Sequence, residues 1–165
     1  MPSCSWSANL VTSEYRLKAA LIYKLTRFVE WPEGEFDHDA FDVCLLGHDS
    51  FGGALDALEG RKVRSLRIRI RRFVQSESVS ASCRILFISD SKRPFLENIL
   101  NALSHRPTLT IGDMRGFAEK GGIIEFVQEG KRLGFKINLA QANAAGLRLA
   151  APLLELATIV KTEQP

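Results

Sequence analysis

Residues 84–89, RILFIS, place four apolar side chains in a row, Ile85 to Ile88, so a strand built from them shows hydrocarbon to both of its faces. Only a sheet covered on two sides accepts such a strand, which points to a largely parallel α/β arrangement. FDVCLLG (41–47) and TLTIG (108–112) are further short apolar runs closed by glycine and read as companion strands. In LRIRIRRF (66–73), Leu66, Ile68 and Ile70 alternate with Arg67, Arg69 and Arg71, the period of a half-exposed strand with three guanidinium groups on one face.

Helical patterns fall between these runs. Leu17, Leu21, Leu25 and Phe28 mark an amphipathic helix over 14–31 that ends before Pro32, with Lys18, Lys24 and Arg27 elsewhere on the wheel. Ala54, Leu55 and Leu58 have helical spacing after the 41–47 strand, and Leu96, Ile99, Leu100 and Leu103 form a stripe after Ser91 with Pro94 in the first turn. GIIEFVQ and RLGFKIN flank Glu129-Gly130, a hairpin turn signal. An Ala-rich helix runs from Leu139 to Gly146, and another is expected from Pro152 with Leu153, Leu156, Ala157 and Val160 on one face. Strands alternating with helices predict a three-layer α/β/α sandwich, its sheet mostly parallel with an antiparallel terminal hairpin.

The 165 residues suit one domain, expected over 14–161, after an N-terminal segment at 1–13 that is disordered or processed and before a tail at 162–165. Arg61, Lys62, Arg64, Arg67, Arg69, Arg71 and Arg72 put seven cations into twelve residues; elsewhere 15 basic residues face 19 acidic ones, so the basic character is local. The longest uncharged stretch, Met1 to Ser13, is too short and too polar to span a bilayer. It also lacks the basic start and apolar centre of a secretory signal, which read alone predicts a cytoplasmic chain.

His38, His48 and His105 lie in separate segments without metal-ligand spacing, so no metal is expected. Ser50 in GHDSFG follows a strand, but a nucleophile elbow would place the serine one residue earlier; a small α/β hydrolase using Ser50 is therefore a second alternative. The outer glycines of GHDSFGGA have phosphate-loop spacing, yet Gly53 and Ala54 stand where Lys and Ser/Thr are needed. Arg67, Arg69 and Arg71 offer a polyanion-binding row, the first alternative function; the favoured reading is a charged strand that resists edge-to-edge pairing. Cys44 and Cys83 sit on two expected strands and are either a disulfide or two buried thiols, with Cys4 left over. Trp31 closes the first helix as a binding aromatic or a packed one.

KAALIYKLTRFVEWP (18–32), FDVCLLG with Asp49-Ser-Phe-Gly, SCRILFIS (82–89), TLTIGD (108–113), GGIIEFVQEGKRLGFKIN (121–138) and Ala145-Gly-Leu before Leu153-Leu-Glu-Leu-Ala together resemble the YfiR-like family, from about Tyr15 to Val160. The resemblance implies a periplasmic, non-enzymatic α/β domain that represses or modulates a membrane signalling protein, such as a diguanylate cyclase or sensor kinase, by binding its periplasmic part. It implies that Cys44 and Cys83 are a disulfide pair. A second cysteine pair of some members has no counterpart between Ala118 and Glu125, a frequent histidine after the second cysteine is Arg84, and a capping serine is replaced within Ala150-Ala151-Pro152. The expected partner-binding surface comprises Trp31 and the hairpin face where Arg132, Lys136 and Asn138 alternate with inward Leu133, Phe135 and Ile137. A second copy of the chain is an admissible partner; no nucleic acid and no cofactor are expected.

Overall fold

The computed structural model describes residues 3–33, 36 and 38–163; the Cys4 side chain and the last two residues lie outside what it describes. In chain order the elements are α1 (Ser3–Phe28), β1 (Val29–Glu30), β2 (Ala40–Leu46), β3 (Lys62–Val63), β4 (Leu66–Phe73), β5 (Cys83–Ile88), α2 (Leu96–Leu103), β6 (Leu109–Gly112), β7 (Ile124–Glu129), β8 (Arg132–Asn138), α3 (Leu139–Ala144), β9 (Arg148–Leu149), α4 (Ala151–Leu156) and β10 (Thr158–Val160). The eight-stranded sheet runs β10-β8-β7-β6-β5-β2-β4-β3, and β1 with β9 forms a separate antiparallel pair. Within it β2, β4, β5, β6 and β7 are joined by parallel pairs, and their spatial order, β4-β2-β5-β6-β7, is the 2-1-3-4-5 winding of flavodoxin-like sheets.

Two apolar layers sandwich this sheet. Val43, Leu45, Ile85 and Phe87 point to one face, under α1, α3 and α4; Cys44, Leu46, Leu86 and Ile88 point to the other, under α2 and Phe117. This is the α/β architecture predicted, with the terminal hairpin β7–β8 antiparallel and in register from Ile124↔Ile137 to Glu129↔Arg132. Gly130 makes that turn with φ +62, a conformation glycine adopts without steric penalty.

Several local expectations are corrected. Helix α1 begins at Ser3, and its buried apolar stripe is Ala19, Ile22 and Leu25, continued by Val29 of β1, while Leu17 is 46% exposed. Lys18 is buried, held by Asp113 at 2.8 Å and Glu14 at 3.2 Å. After β2 there is only a 3-10 turn at Asp56–Leu58, and Asp90–Phe95 is also 3-10 because Pro94 interrupts the run before α2. Helix α4 stops at Leu156, where three consecutive β-branched residues leave the helix and add β10 in parallel to β8. Its N-cap, Ala150, makes no side-chain cap, as the missing serine implies.

Candidate functional site

The arginine row on β4 lies beside β2 in the register Asp42↔Arg69 and Cys44↔Arg71. Asp42 is fully buried, and a buried carboxylate is stable only if its charge and lone pairs are met. Arg69 meets it with two hydrogen bonds, Nε at 2.7 Å and an Nη at 2.8 Å; the Ser82 hydroxyl donates at 2.5 Å, and Arg71 approaches to 3.5 Å. Burial alone would raise this carboxyl, but the hydrogen bonds from Arg69 and Ser82 and the two guanidinium charges hold it below the ordinary carboxylate range. Arg71 also stacks over Phe73 at 5.2 Å, and Arg67 donates to the Gly60 carbonyl. Arg72 bridges Asp49 and Asp56. The cations that read as a solvated row are thus largely engaged within the fold, and β4 is the penultimate strand, with β3 on its outer side.

Next to this lock, Asp42 pairs in register with Cys83, and Cys44 and Cys83 form a disulfide between β2 and β5, with Cα atoms 5.9 Å apart. The registers Asp42↔Cys83 and Val43↔Ile85 leave Arg84 as an extra residue on β5. Such a bulge re-aims a side chain. Arg84 lies 4.5 Å from the Phe36 ring and 5.3 Å from Phe41, and donates to the Ala40 carbonyl. Its own carbonyl accepts the Trp31 indole N–H at 2.8 Å, while the Trp31 ring stands edge-on to Phe41. Trp31 is therefore half-buried against the sheet, and a small cavity of about 170 Å³ lies between it, Phe36, Arg64 and Arg84.

At the far end of the sheet, Arg132 is exposed at the hairpin tip. Lys136 is half-buried, with its ammonium 3.2 Å from Glu119. Burial would raise the Glu119 carboxyl, but backbone and Lys136 hydrogen bonds hold it low. Asn138 is not on the exposed face that strict alternation assigns it: it is fully buried, accepts the Gln141 N–H as the N-cap of α3, and donates to the Ala118 carbonyl and the Thr162 hydroxyl. The apolar residues that reach solvent here are Leu156, 77% exposed, and Ile159, 48% exposed, on α4 and the edge strand β10. Sequence reasoning missed both, having assigned Leu156 to a buried helix face and residues 158–160 to helix. The Ser50 hydroxyl lies against the Tyr15 phenol, not an imidazole; Tyr15 in turn donates to Asp113. Among the described residues no group of three His, Cys, Asp or Glu side chains is placed to hold a metal.

A doubly wound α/β domain, its central strand β2 tied to β5 by a disulfide and to β4 by a buried ion cluster, is the class these features define. The family model described as YfiR/HmsC-like matches residues 15–158, and the chain belongs to that family. Solved structures with a similar fold include "the ABC domain in complex with L-Trp" from Streptococcus pneumonia, at 10% identity and a TM-score of 0.57, covering 88% of this chain and 60% of that one. A conserved domain protein from Vibrio cholerae o1 biovar eltor aligns at 11% identity and a TM-score of 0.60, covering 89% of this chain and 60% of that one. The chain thus spans less than two thirds of either structure, and at these identities the likeness concerns the fold alone. No curated protein matches the chain.

Proposed function

We propose that this protein is a non-enzymatic periplasmic regulator that binds the periplasmic part of a membrane signalling protein, such as a diguanylate cyclase, and lowers its output. The YfiR/HmsC-like match over residues 15–158 carries this reading. The Cys44–Cys83 bond supports the compartment, since cytosolic reductants keep such pairs as thiols. Among the described residues no helix is long and apolar enough to cross a membrane.

A binding protein changes an enzyme's output only through a difference in affinity for the enzyme's states. A preference of about a hundredfold for the inactive state shifts that equilibrium by about 2.7 kcal/mol. The contact surface we assign is the β8/β10 end of the sheet, where exposed Leu156 and Ile159 lie near Lys136 and the hairpin carrying Arg132. Exposed apolar side chains such as these lose water when a partner covers them, and a charged hairpin at the rim adds steering. The test is to co-express the exported protein with a candidate membrane diguanylate cyclase from the same organism and to measure cyclic di-GMP. Wild type should lower the dinucleotide, and Ile159→Asp with Arg132→Glu should restore it while melting stays near wild type. Unchanged dinucleotide, with no membrane partner recovered by cross-linking, would defeat the reading.

A further inference from the structure

A larger concavity than the one beside Trp31 lies between α1 and the loop that follows β2. It has a volume of about 610 Å³ and is lined by Arg16, Ala19 and Ala20 from the helix and by Gly52, Gly53 and Arg61 among others from the loop. Cavities of this size hold small molecules, and the loop that forms one wall leaves the carboxyl end of β2.

Its charge is one-sided. Among the described residues neither Arg16 nor Arg61 has a carboxylate partner, and Arg61 only stacks over the Tyr23 ring at 5.0 Å. The acids of the same loop are already used: Asp49 and Asp56 are both bound by Arg72, and Glu59 accepts the Ile70 N–H. The backbone is open as well. A Cβ built on Gly52 or Gly53 meets nothing within 4 Å, Gly52 has φ +59, and neither N–H has a hydrogen-bond partner among the described residues. Left-handed turns with free successive N–H groups favour anions, and guanidinium forks match carboxylate and phosphate oxygens. Alanine methyl groups and the buried Phe51 complete the lining with an apolar wall that an inorganic ion would leave unused.

We propose that this groove binds a small organic anion, a carboxylate or a phosphate monoester with a compact apolar body held on the alanine-lined wall and its charge between Arg16, Arg61 and the Gly52-Gly53 amides. The site does not overlap the β8/β10 surface and stands independently of the regulatory reading.

The test titrates the ¹⁵N-labelled full chain with phenyl phosphate, with benzoate and with neutral benzyl alcohol. At least one anion should saturate at millimolar concentration or below and move the Gly52 and Gly53 amide resonances, benzyl alcohol should leave them in place, and the response of each anion separates phosphate from carboxylate preference. Arg16→Gln combined with Arg61→Gln should weaken the binding by about tenfold or more, with the rest of the spectrum preserved. Ala57→Phe, which fills the groove from an exposed loop position, should abolish it without lowering the melting temperature. Three results would each overturn the proposal: no saturation with either anion, an equal response to benzyl alcohol, or undiminished affinity in the double arginine variant.

Discussion

Asp42 shows how a single carboxylate determines what its neighbours are for. Its partners are unequal: the carboxylate is fully buried, whereas the Arg69 and Arg71 side chains are 43% and 35% exposed. Removing Arg69 strands a charge inside the sheet, while removing Asp42 frees guanidinium groups that water can reach. Arg69→Ala is therefore expected to cost about 3 kcal/mol or more, and Asp42→Ala about 1–2 kcal/mol, in urea denaturation at neutral pH. The same carboxyl gives the fold an acid limb. Its pKa is lowered in the folded protein, so its stabilisation is complete above the unfolded value of about 3.9 and is lost as pH falls through the lower folded value. Asp42→Asn should flatten the loss of stability below about pH 4 relative to wild type; an unchanged acid limb would show that other carboxylates carry it. None of this is legible in FDVCLLG or LRIRIRRF separately, because the pairing depends on the register between strands far apart in sequence.

Elements that declare themselves by a continuous apolar run or a turn signal were read correctly, as in β5, β6 and the hairpin β7–β8, although burial along the hairpin strands does not alternate. Reading failed where tertiary contacts overrode local pattern. The α1 stripe is rotated because Lys18 is drawn inward by Asp113, and β10 exists because the outer edge of β8 was free to accept a β-branched segment. The same limit hid the connection between β6 and β7. Phe117 is fully buried between Gly112 and Gly122, and a Cβ on Gly122 would stand 2.1 Å from its ring, on Gly112 2.7 Å. A methyl group there cannot be absorbed without displacing the ring or the strand. Gly122→Ala is expected to destabilise by about 1–3 kcal/mol, measured by guanidinium denaturation, and Phe117→Leu in the same chain should recover part of the loss. A neutral Gly122→Ala would mean that the connection shifts freely and that Phe117 does not hold it.

For the whole molecule, the centre of the 2-1-3-4-5 winding is strand β2, and two devices clamp it to its neighbours: the Cys44–Cys83 bond to β5 and the Asp42–Arg69 ion pair to β4. The family resemblance anticipated the first; the second came only with the register. The cysteines are 39 residues apart, so closing that loop is worth at most about 4 kcal/mol by the loss of chain entropy in the unfolded state. A domain of 165 residues buries enough surface to fold without it, and reduction should lower the denaturation midpoint while leaving the far-ultraviolet dichroism in place. The two clamps also meet on β2, since Asp42 lies in register with Cys83 and is bound by Ser82. Effects at such neighbouring positions do not add. A cycle comparing wild type and Arg69→Ala, each oxidised and reduced, should give a coupling of about 0.5 kcal/mol or more, with the reduced Arg69→Ala protein losing cooperativity first around β2 and β5 in hydrogen exchange. Strict additivity would show that the disulfide acts on the unfolded chain alone, and that the ion pair holds the strands together without its help.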